Sequence, residues 1–354
     1  MRGAAAGGGG PSRGRASVLA LAAVATLHLA ALGATLAADP PRGDLRVVLF
    51  GDFNGPYGSL DYPTAVGSTV AAIVSTWRPD LVLLPGDLVA GQSRALPDER
   101  FPAMWAAFDA AVAAPLRAAG IPYAAALGNH DASKLRDAGG AFAFARERSA
   151  AAAYWARPEH RSGLDVVDGA DAPFVWSFRL GPLFVAVVDA SGPLLSDAER
   201  DRIDALLRAP AARAADLRWV VGHLPLVGIS EGRDREGEVL WRAEDLRDRW
   251  LAAGVDSYVS GHQAAFYAGT WGGLELLLTG GVGARRLRGS GLPARSAVTV
   301  VDVDLAPLRV RIATFDPSTL QPLPDSAWPD RLDAFGGTLL RSERLAPIGV
   351  PASP

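Results

Sequence analysis

An α/β fold of two packed, mixed β-sheets flanked by helices is the class this sequence predicts, and three observations predict it. Five short apolar runs each end in Gly followed by Asp, Asn or His, as strands of open sheets do where they present ligand-binding groups at their carboxyl ends. Helix-patterned segments separate these runs through the first two thirds of the chain. From Phe266 onward strand-like segments follow one another without helices between them, which implies antiparallel pairing on a second sheet packed against the first.

In order, Arg46–Phe50 (RVVLF) is β-rich and uninterrupted, as a strand covered on both faces is. After the loop Gly51–Pro63, apolar residues at Val66, Val70, Ile73, Val74 and Trp77 have helical spacing, and Leu81–Leu84 completes a β-α-β unit. Met104–Ala119 reads as an Ala-rich helix ended or kinked by Pro115. Tyr123–Leu127 is the third run, Gly139–Trp155 a helix and His160–Pro173 a polar excursion. Phe174–Leu180 and Leu183–Val188 flank Gly181-Pro182 as a hairpin. Ser196–Arg208 opens with an S-x-x-E capping box, and Val239–Ala253 is a helix stopped by Gly254. Leu217–Val221 and Val255–Ser260 are the remaining site-bearing runs. Leu274–Thr279, Ala297–Val303 and Leu308–Phe315 supply the later strands, and Pro317–Pro354 is Pro-rich and reads as irregular. Trp105, Trp155, Trp176, Trp219, Trp241 and Trp250 lie in strand or helix patterns and read as core.

The N-terminus is set apart. Arg2, Arg13 and Arg15 precede an apolar stretch from Ala16 to about Ala38, with Thr35 and Ala37 suitably small for cleavage. This reads as a secretory signal covering residues 1–38, with an uncleaved membrane anchor as the competing reading. Either one predicts a secreted, periplasmic or otherwise extracytoplasmic protein, touching a membrane only through this segment. The main domain is expected over residues 45–315, with residues 316–354 as a tail. Removing residues 1–37 takes away three arginines and no acids, so the formal charge moves from −3 to −6. A mildly acidic body exerts no general pull on nucleic acid or anionic lipid. The absence of Cys excludes disulfides, thiolate metal sites and Cys nucleophiles.

The chemistry gathers at the run ends: Gly51-Asp52-Phe53-Asn54, Gly86-Asp87, Gly128-Asn129-His130-Asp131, Gly222-His223 and Gly261-His262. A lone His in such a place is more often a hydrogen-bonded structural residue. Three arriving at equivalent positions, with Asp52 and Asp87 beside them, favour a metal or catalytic site. Carboxylate, amide oxygen and neutral imidazole together suit Zn, Fe or Mn, and oxygens alone suit Mg.

In order and spacing these motifs resemble the calcineurin-like metallophosphoesterases over most of residues 45–315. The resemblance implies the four-layer αββα metallophosphoesterase fold, with one or two divalent metals (Mn, Zn, Fe or Mg) at the strand ends. It implies a hydrolase that cleaves phosphomonoesters or phosphodiesters of a small-molecule or phosphorylated substrate. By this likeness Asp87 bridges two metals, and Asn129, His223 and His262 complete one site. Asp52 serves the other, with the Asn54 carbonyl as a further candidate there; His130 contacts the phosphate or protonates the leaving oxygen, with Asp131 orienting it. The chain departs from the family at two positions. Asn54 stands where the family has His, and Gly261-His262-Gln263-Ala264 lacks the second His of Gly-His-x-His. Ala90 stands where purple acid phosphatases carry a Tyr. A catalytically impaired relative that keeps a metal-containing pocket for phospho-ligands is therefore the alternative. Tyr57, Asp61 and Tyr62 read as loop and packing residues that could complete the weak site. Arg94, Arg285 and Arg286 read as surface residues that could reach the pocket mouth.

Overall fold

The computed structural model describes residues 37–282 and 296–342. The N-terminal segment 1–36, Arg285, Arg286 and the last twelve residues of the tail lie outside the described residues. The strands are β1 (Leu45–Leu49), β2 (Leu81–Leu84), β3 (Tyr123–Ala125), β4 (Asp165–Asp171), β5 (Val175–Leu180), β6 (Leu183–Val187) and β7 (Leu217–Val221). They continue with β8 (Ser257–Ser260), β9 (Tyr267–Trp271), β10 (Leu274–Leu278), β11 (Val298–Leu305), β12 (Leu308–Phe315), β13 (Arg331–Ala334) and β14 (Gly337–Arg341). The helices are α1 (Thr64–Ala72), α2 (Arg100–Phe108), α3 (Ala114–Ala118), α4 (Asn129–Ala132), α5 (Ala145–Trp155), α6 (Asp197–Leu207), α7 (Pro210–Arg213) and α8 (Ala243–Ala252).

Two mixed sheets result, ordered β12-β11-β1-β2-β3 and β13-β14-β9-β10-β8-β7-β6-β5-β4. The site-bearing strands pair in parallel within each sheet: β1 with β2 and β2 with β3, then β7 with β8. Side chains alternate between the faces of the first sheet with the period of two that a strand imposes. Val47, Leu49, Leu81 and Leu83 point to the core shared with the second sheet. Val48, Phe50, Val82 and Leu84 point to Val66, Val70, Trp105, Phe108 and Trp155 of α1, α2 and α5. Leu206, Leu207, Leu246 and Trp250, from α6 and α8, join the core of the second sheet. Helices thus flank both sheets.

Several elements differ from the sequence expectation. The later strands do not make a sheet of their own: β11 pairs antiparallel with β1, while β10 lies parallel to β8. The polar excursion carries β4, an exposed edge strand paired with β5, where a charged face meets water. The helix around Pro115 begins earlier, at Arg100, and passes through a π-turn at Asp109–Ala113 just before the proline, whose missing N–H leaves the preceding turn free to widen. Helices α5 and α8 start later than their apolar patterns do; Leu240 is instead held in the preceding loop through the Pro225 carbonyl. Trp241 is not core but 45% exposed. The tail is not irregular throughout, because β13 and β14 form a hairpin that extends the larger sheet through β9.

Candidate metal centre

β1, β2 and β3 deliver Asp52, Asp87 and Asn129–Asp131 from the smaller sheet, and β7 and β8 deliver His223 and His262 from the larger. The donors therefore meet at the seam between the sheets, at the carboxyl ends of the strands. The backbone is bent hard to bring them in. Asp52, Asp87 and His262 adopt left-handed φ values of 51°, 56° and 69°, a conformation that costs non-glycine residues energy and clusters at functional sites. Two glycines are required by close approach. A Cβ on Gly128 would lie 2.3 Å from Asp87 Oδ1, and one on Gly86 would lie 2.6 Å from His223 Nδ1.

Each ring's outer partner determines what its inner nitrogen offers. His223 Nδ1–H donates to the Pro85 carbonyl at 2.8 Å. In the neutral ring Nε2 is then a bare lone pair, and it faces Asn129 Oδ1 at 3.0 Å and Asp87 Oδ1 at 3.3 Å. His262 Nε2 lies 2.8 Å from a Glu238 carboxylate oxygen, so Nε2 carries the proton and Nδ1 is the lone pair, 3.0 Å from the same Asn129 Oδ1. The Asn129 amide is turned this way because its Nδ2 donates to Gln92 Oε1 at 2.7 Å. Asn129 Oδ1 thus meets the acceptor nitrogens of both rings, and His223 Nε2 also faces Asp87 Oδ1, so four acceptor atoms are linked through these contacts. One proton can bridge two acceptors; four are matched by a cation.

Electrostatics agree. Burial alone would raise Asp87, but the imidazoles of His223 and His130, the His130 backbone N–H and His262 outweigh it and hold its carboxyl well below the usual range. Burial lowers His262 to about 3 against the opposing Glu238 hydrogen bond, with the Arg233 charge adding to the depression. Glu238 is lowered to about 2, chiefly by its hydrogen bond to His262. A neutral imidazole beside an ionised carboxylate is the state a metal ligand needs.

The second half of the pocket is poorer. Asp52, Asp87 and His223 each offer an atom within 4.8 Å of one another, and both Asp52 oxygens accept the His262 backbone N–H, at 2.8 and 3.0 Å. Asn54 is fully buried, and neither of its amide atoms has a hydrogen-bond partner among the described residues. Gln263 turns away to accept the backbone N–H groups of Ile229 and Ser230, and Ala264 has no donor to give. By donor chemistry, Asp87, Asn129, His223 and His262 offer a divalent cation imidazole, amide and carboxylate atoms, whereas Asp52 and Asn54 offer oxygens alone.

His130 Nδ1–H donates to the Gly91 carbonyl at 3.0 Å, and Nε2 lies 3.9 Å from Asp87 Oδ2. Asp131 does not take the orienting role expected of it. Its carboxylate accepts three backbone N–H groups, from Leu88, Val89 and Gly128, and so pins the β2 and β3 loops together. A side chain directly after His130 in a helical turn points away from it, leaving the Gly91 carbonyl to hold the ring. Tyr62 packs edge-on against Phe53 and donates to the Leu88 carbonyl, whereas Tyr57, 59% exposed, lies with its ring 5.5 Å from His130. Arg94 lines a separate cleft with Phe101, Phe142 and Arg146. The sequence reading missed Gln92, Glu238 and Glu147, whose carboxylate accepts the backbone N–H of Gln92 at 2.7 Å. Gln92 and Glu238 sit in loops without periodicity, and Glu147 carries no mark that sets it apart from other helix acids.

The model of the calcineurin-like phosphoesterase family matches residues 45–266. The chain belongs to that family. It is a family of metal-dependent phosphoester hydrolases, and the buried donors above are of the kind its chemistry uses. A purple acid phosphatase from yellow lupin seeds is similar at 18% identity and a TM-score of 0.55, over 81% of this chain and 54% of that one. This calcineurin-like family member therefore spans about half of the lupin protein. A dimetal phosphatase from Danio rerio is similar at 14% identity and a TM-score of 0.51, over 84% of this chain and 99% of that one. These likenesses show the shared fold. No curated protein matches the sequence.

Proposed function

We propose that this family member hydrolyses phosphate esters of a small-molecule or phosphorylated substrate outside the cytoplasm. The observation that carries the reading is that Asn129 Oδ1 lies 3.0 Å from both His223 Nε2 and His262 Nδ1, while His223 shares with Asp87 and Asp52 a cluster of donor atoms within 4.8 Å of one another. These residues would hold a divalent cation (Zn, Fe, Mn or Mg, one or two per chain), which would supply a lowered pKa for the attacking water and a counter-charge for the phosphate oxygens. The chain's own residues do the rest. Asp87 keeps its negative charge, the Pro85 carbonyl and Glu238 fix which ring nitrogens face inward, and Gln92 fixes the Asn129 amide. His130, anchored by the Gly91 carbonyl, presents Nε2 beside Asp87, where it can hold a phosphate oxygen or give a proton to the leaving oxygen.

A second reading is favoured by the unpartnered Asn54 amide and by Ala264: a metal-containing module that binds phospho-ligands without turning them over. One experiment separates the two. The purified chain and its His223→Ala variant are analysed for bound metal and assayed on phenyl phosphate and bis-phenyl phosphate under Mn, Zn, Fe and Mg. Metal-dependent phenol release by the wild type supports the hydrolase and tells monoester from diester. Retained metal without release on either ester supports the binding module.

A further inference from the structure

We infer that Glu238 is the positioning residue for His262, fixing its Nε2–H tautomer so that Nδ1 is offered to the cation. The inference rests on the metal reading above and adds a residue to it. The two inward-facing imidazoles are held in different ways. His223 is held by a main-chain carbonyl, Pro85, so its tautomer comes with the fold. His262 is held by a side chain from another segment, Glu238 at 2.8 Å, in the loop between β7 and α8.

That loop is built to deliver the carboxylate. Residues 231–237 are mostly exposed, but Val239 and Leu240 directly after Glu238 are buried, and the Glu238 backbone N–H donates to the Arg235 carbonyl. At the other end, Gln263 accepts the Ile229 and Ser230 N–H groups at 2.9 and 3.1 Å, and its own carbonyl accepts the Ser230 hydroxyl at 2.8 Å. The loop is therefore fastened at both ends to consecutive residues, His262 and Gln263. The Gln263 fastening uses the residue beside the position where the family's second histidine is missing. Glu238 lies across the ring from Nδ1, so it cannot itself reach the cation that Nδ1 faces; it acts through the imidazole. Hydrogen bonding at the far nitrogen raises ligand basicity and stops the ring turning over, and losing such a partner weakens metal binding. Glu238→Ala would leave the His262 proton free to move to Nδ1, where it would donate to Asn129 Oδ1 and close the site against a cation.

The test uses the full chain stripped of metal, with Zn(II) titrated in against a chromophoric chelator. Glu238→Ala is expected to bind Zn(II) roughly 10- to 100-fold more weakly than wild type. Glu238→Gln, whose amide oxygen still accepts the Nε2 proton, is expected to fall between the two. Nitrogen-15 spectra of histidine-labelled, metal-free protein provide the readout that a merely structural role would not move: His262 is Nε2–H in wild type and Glu238→Gln, and shifts toward Nδ1–H in Glu238→Ala. Unchanged affinity and an unchanged tautomer in Glu238→Ala would overturn the inference, as would an Nδ1–H tautomer in the wild type. If Glu238→Ala fails to fold, Glu238→Gln decides, because equal affinity together with an Nδ1–H ring in that variant also overturns the inference. Failure of the metal reading looks different: the wild type would take up no more Zn(II) than His223→Ala.

Discussion

Two buried histidine clusters in this molecule look alike by burial and differ in how their polar atoms are matched. His160 sits among Arg117, Tyr123, Tyr154, Arg157 and Asp109. Arg157 donates to Nε2 at 2.8 Å, so the proton is on Nδ1, which donates to the Tyr123 hydroxyl oxygen at 2.7 Å. Arg117 grips Asp109 with two 2.9 Å hydrogen bonds, and Tyr154 donates to the same carboxylate at 2.8 Å. Each of these polar side chains has a partner within the cluster, and the knot is complete as built. At the seam of the sheets the opposite holds: His223, His262, Asn129 and Asp87 turn acceptors toward one another. Burial is common to both clusters. Acceptors that face one another are what make the second the candidate cation site.

The largest expected effect tests that distinction directly. His223→Ala should lose its metal and at least about 10⁴ in turnover, because it removes a ligand from the firm half of the pocket. His160→Gln should keep full metal content. Elemental analysis and phenyl phosphate hydrolysis check both, and a His223→Ala protein that retained its metal would erase the contrast. Next, His130→Ala should lose roughly 10²- to 10³-fold in kcat while keeping its metal if, as proposed, its Nε2 serves the substrate while Gly91 takes its Nδ1. Loss of metal along with rate would put His130 among the ligands instead. A smaller change is expected at the poor half. Asp52→Asn should cost about tenfold and leave one metal per chain, because Asn54 and Ala264 already leave that side short of donors. A loss equal to that of His223→Ala would show two interdependent sites.

Much of this arrangement was legible before any coordinates, for a physical reason. A strand buried on both faces must be apolar along its length, so Gly followed by Asp, Asn or His at its end stands out, and five such ends mark the seam. The β-α alternation and the Ser196 capping box were visible in the same way; Ser196 and Glu199 do hydrogen-bond each other's backbone N–H groups. What escaped was contact between distant segments. The pairing of β11 with β1 joins residues some 250 positions apart through strands of the same Val-rich composition as those of the other sheet, so composition does not say which sheet they join. Glu238 and Gln92 act from loops, where no periodicity distinguishes a residue that reaches a site from one that faces water. For Asp131 the family likeness implied contact with His130, whereas the one-turn helix α4 sends consecutive side chains in different directions and the carboxylate takes the backbone N–H groups of Leu88, Val89 and Gly128.

The smallest effect concerns the matched cluster and depends on pH. Burial, with the charges of Arg157 and Arg117, lowers His160 to about 4 from its ordinary 6.5. The unfolded chain therefore takes up this proton at a higher pH than the folded chain does. The stability His160 contributes is complete above pH 6.5 and is lost as pH falls toward 4, by at most about 2 kcal/mol for a knot partly reached by water. Three carboxyls run the other way: burial raises Glu147 and Asp131 to about 7 and Asp256 to about 6, so each stabilises the fold at low pH and loses that contribution as pH rises. Their effects overlap the His160 window in the wild-type profile and cancel in a difference between variants. Denaturant unfolding of metal-loaded wild type and His160→Gln, compared from pH 7 to pH 4, should give a shallower decline for the glutamine variant, whose amide can accept from Arg157 and donate to Tyr123 without titrating. Parallel profiles would mean that the knot admits a proton as readily as the unfolded chain does, and the two clusters would then differ less than their hydrogen bonds imply.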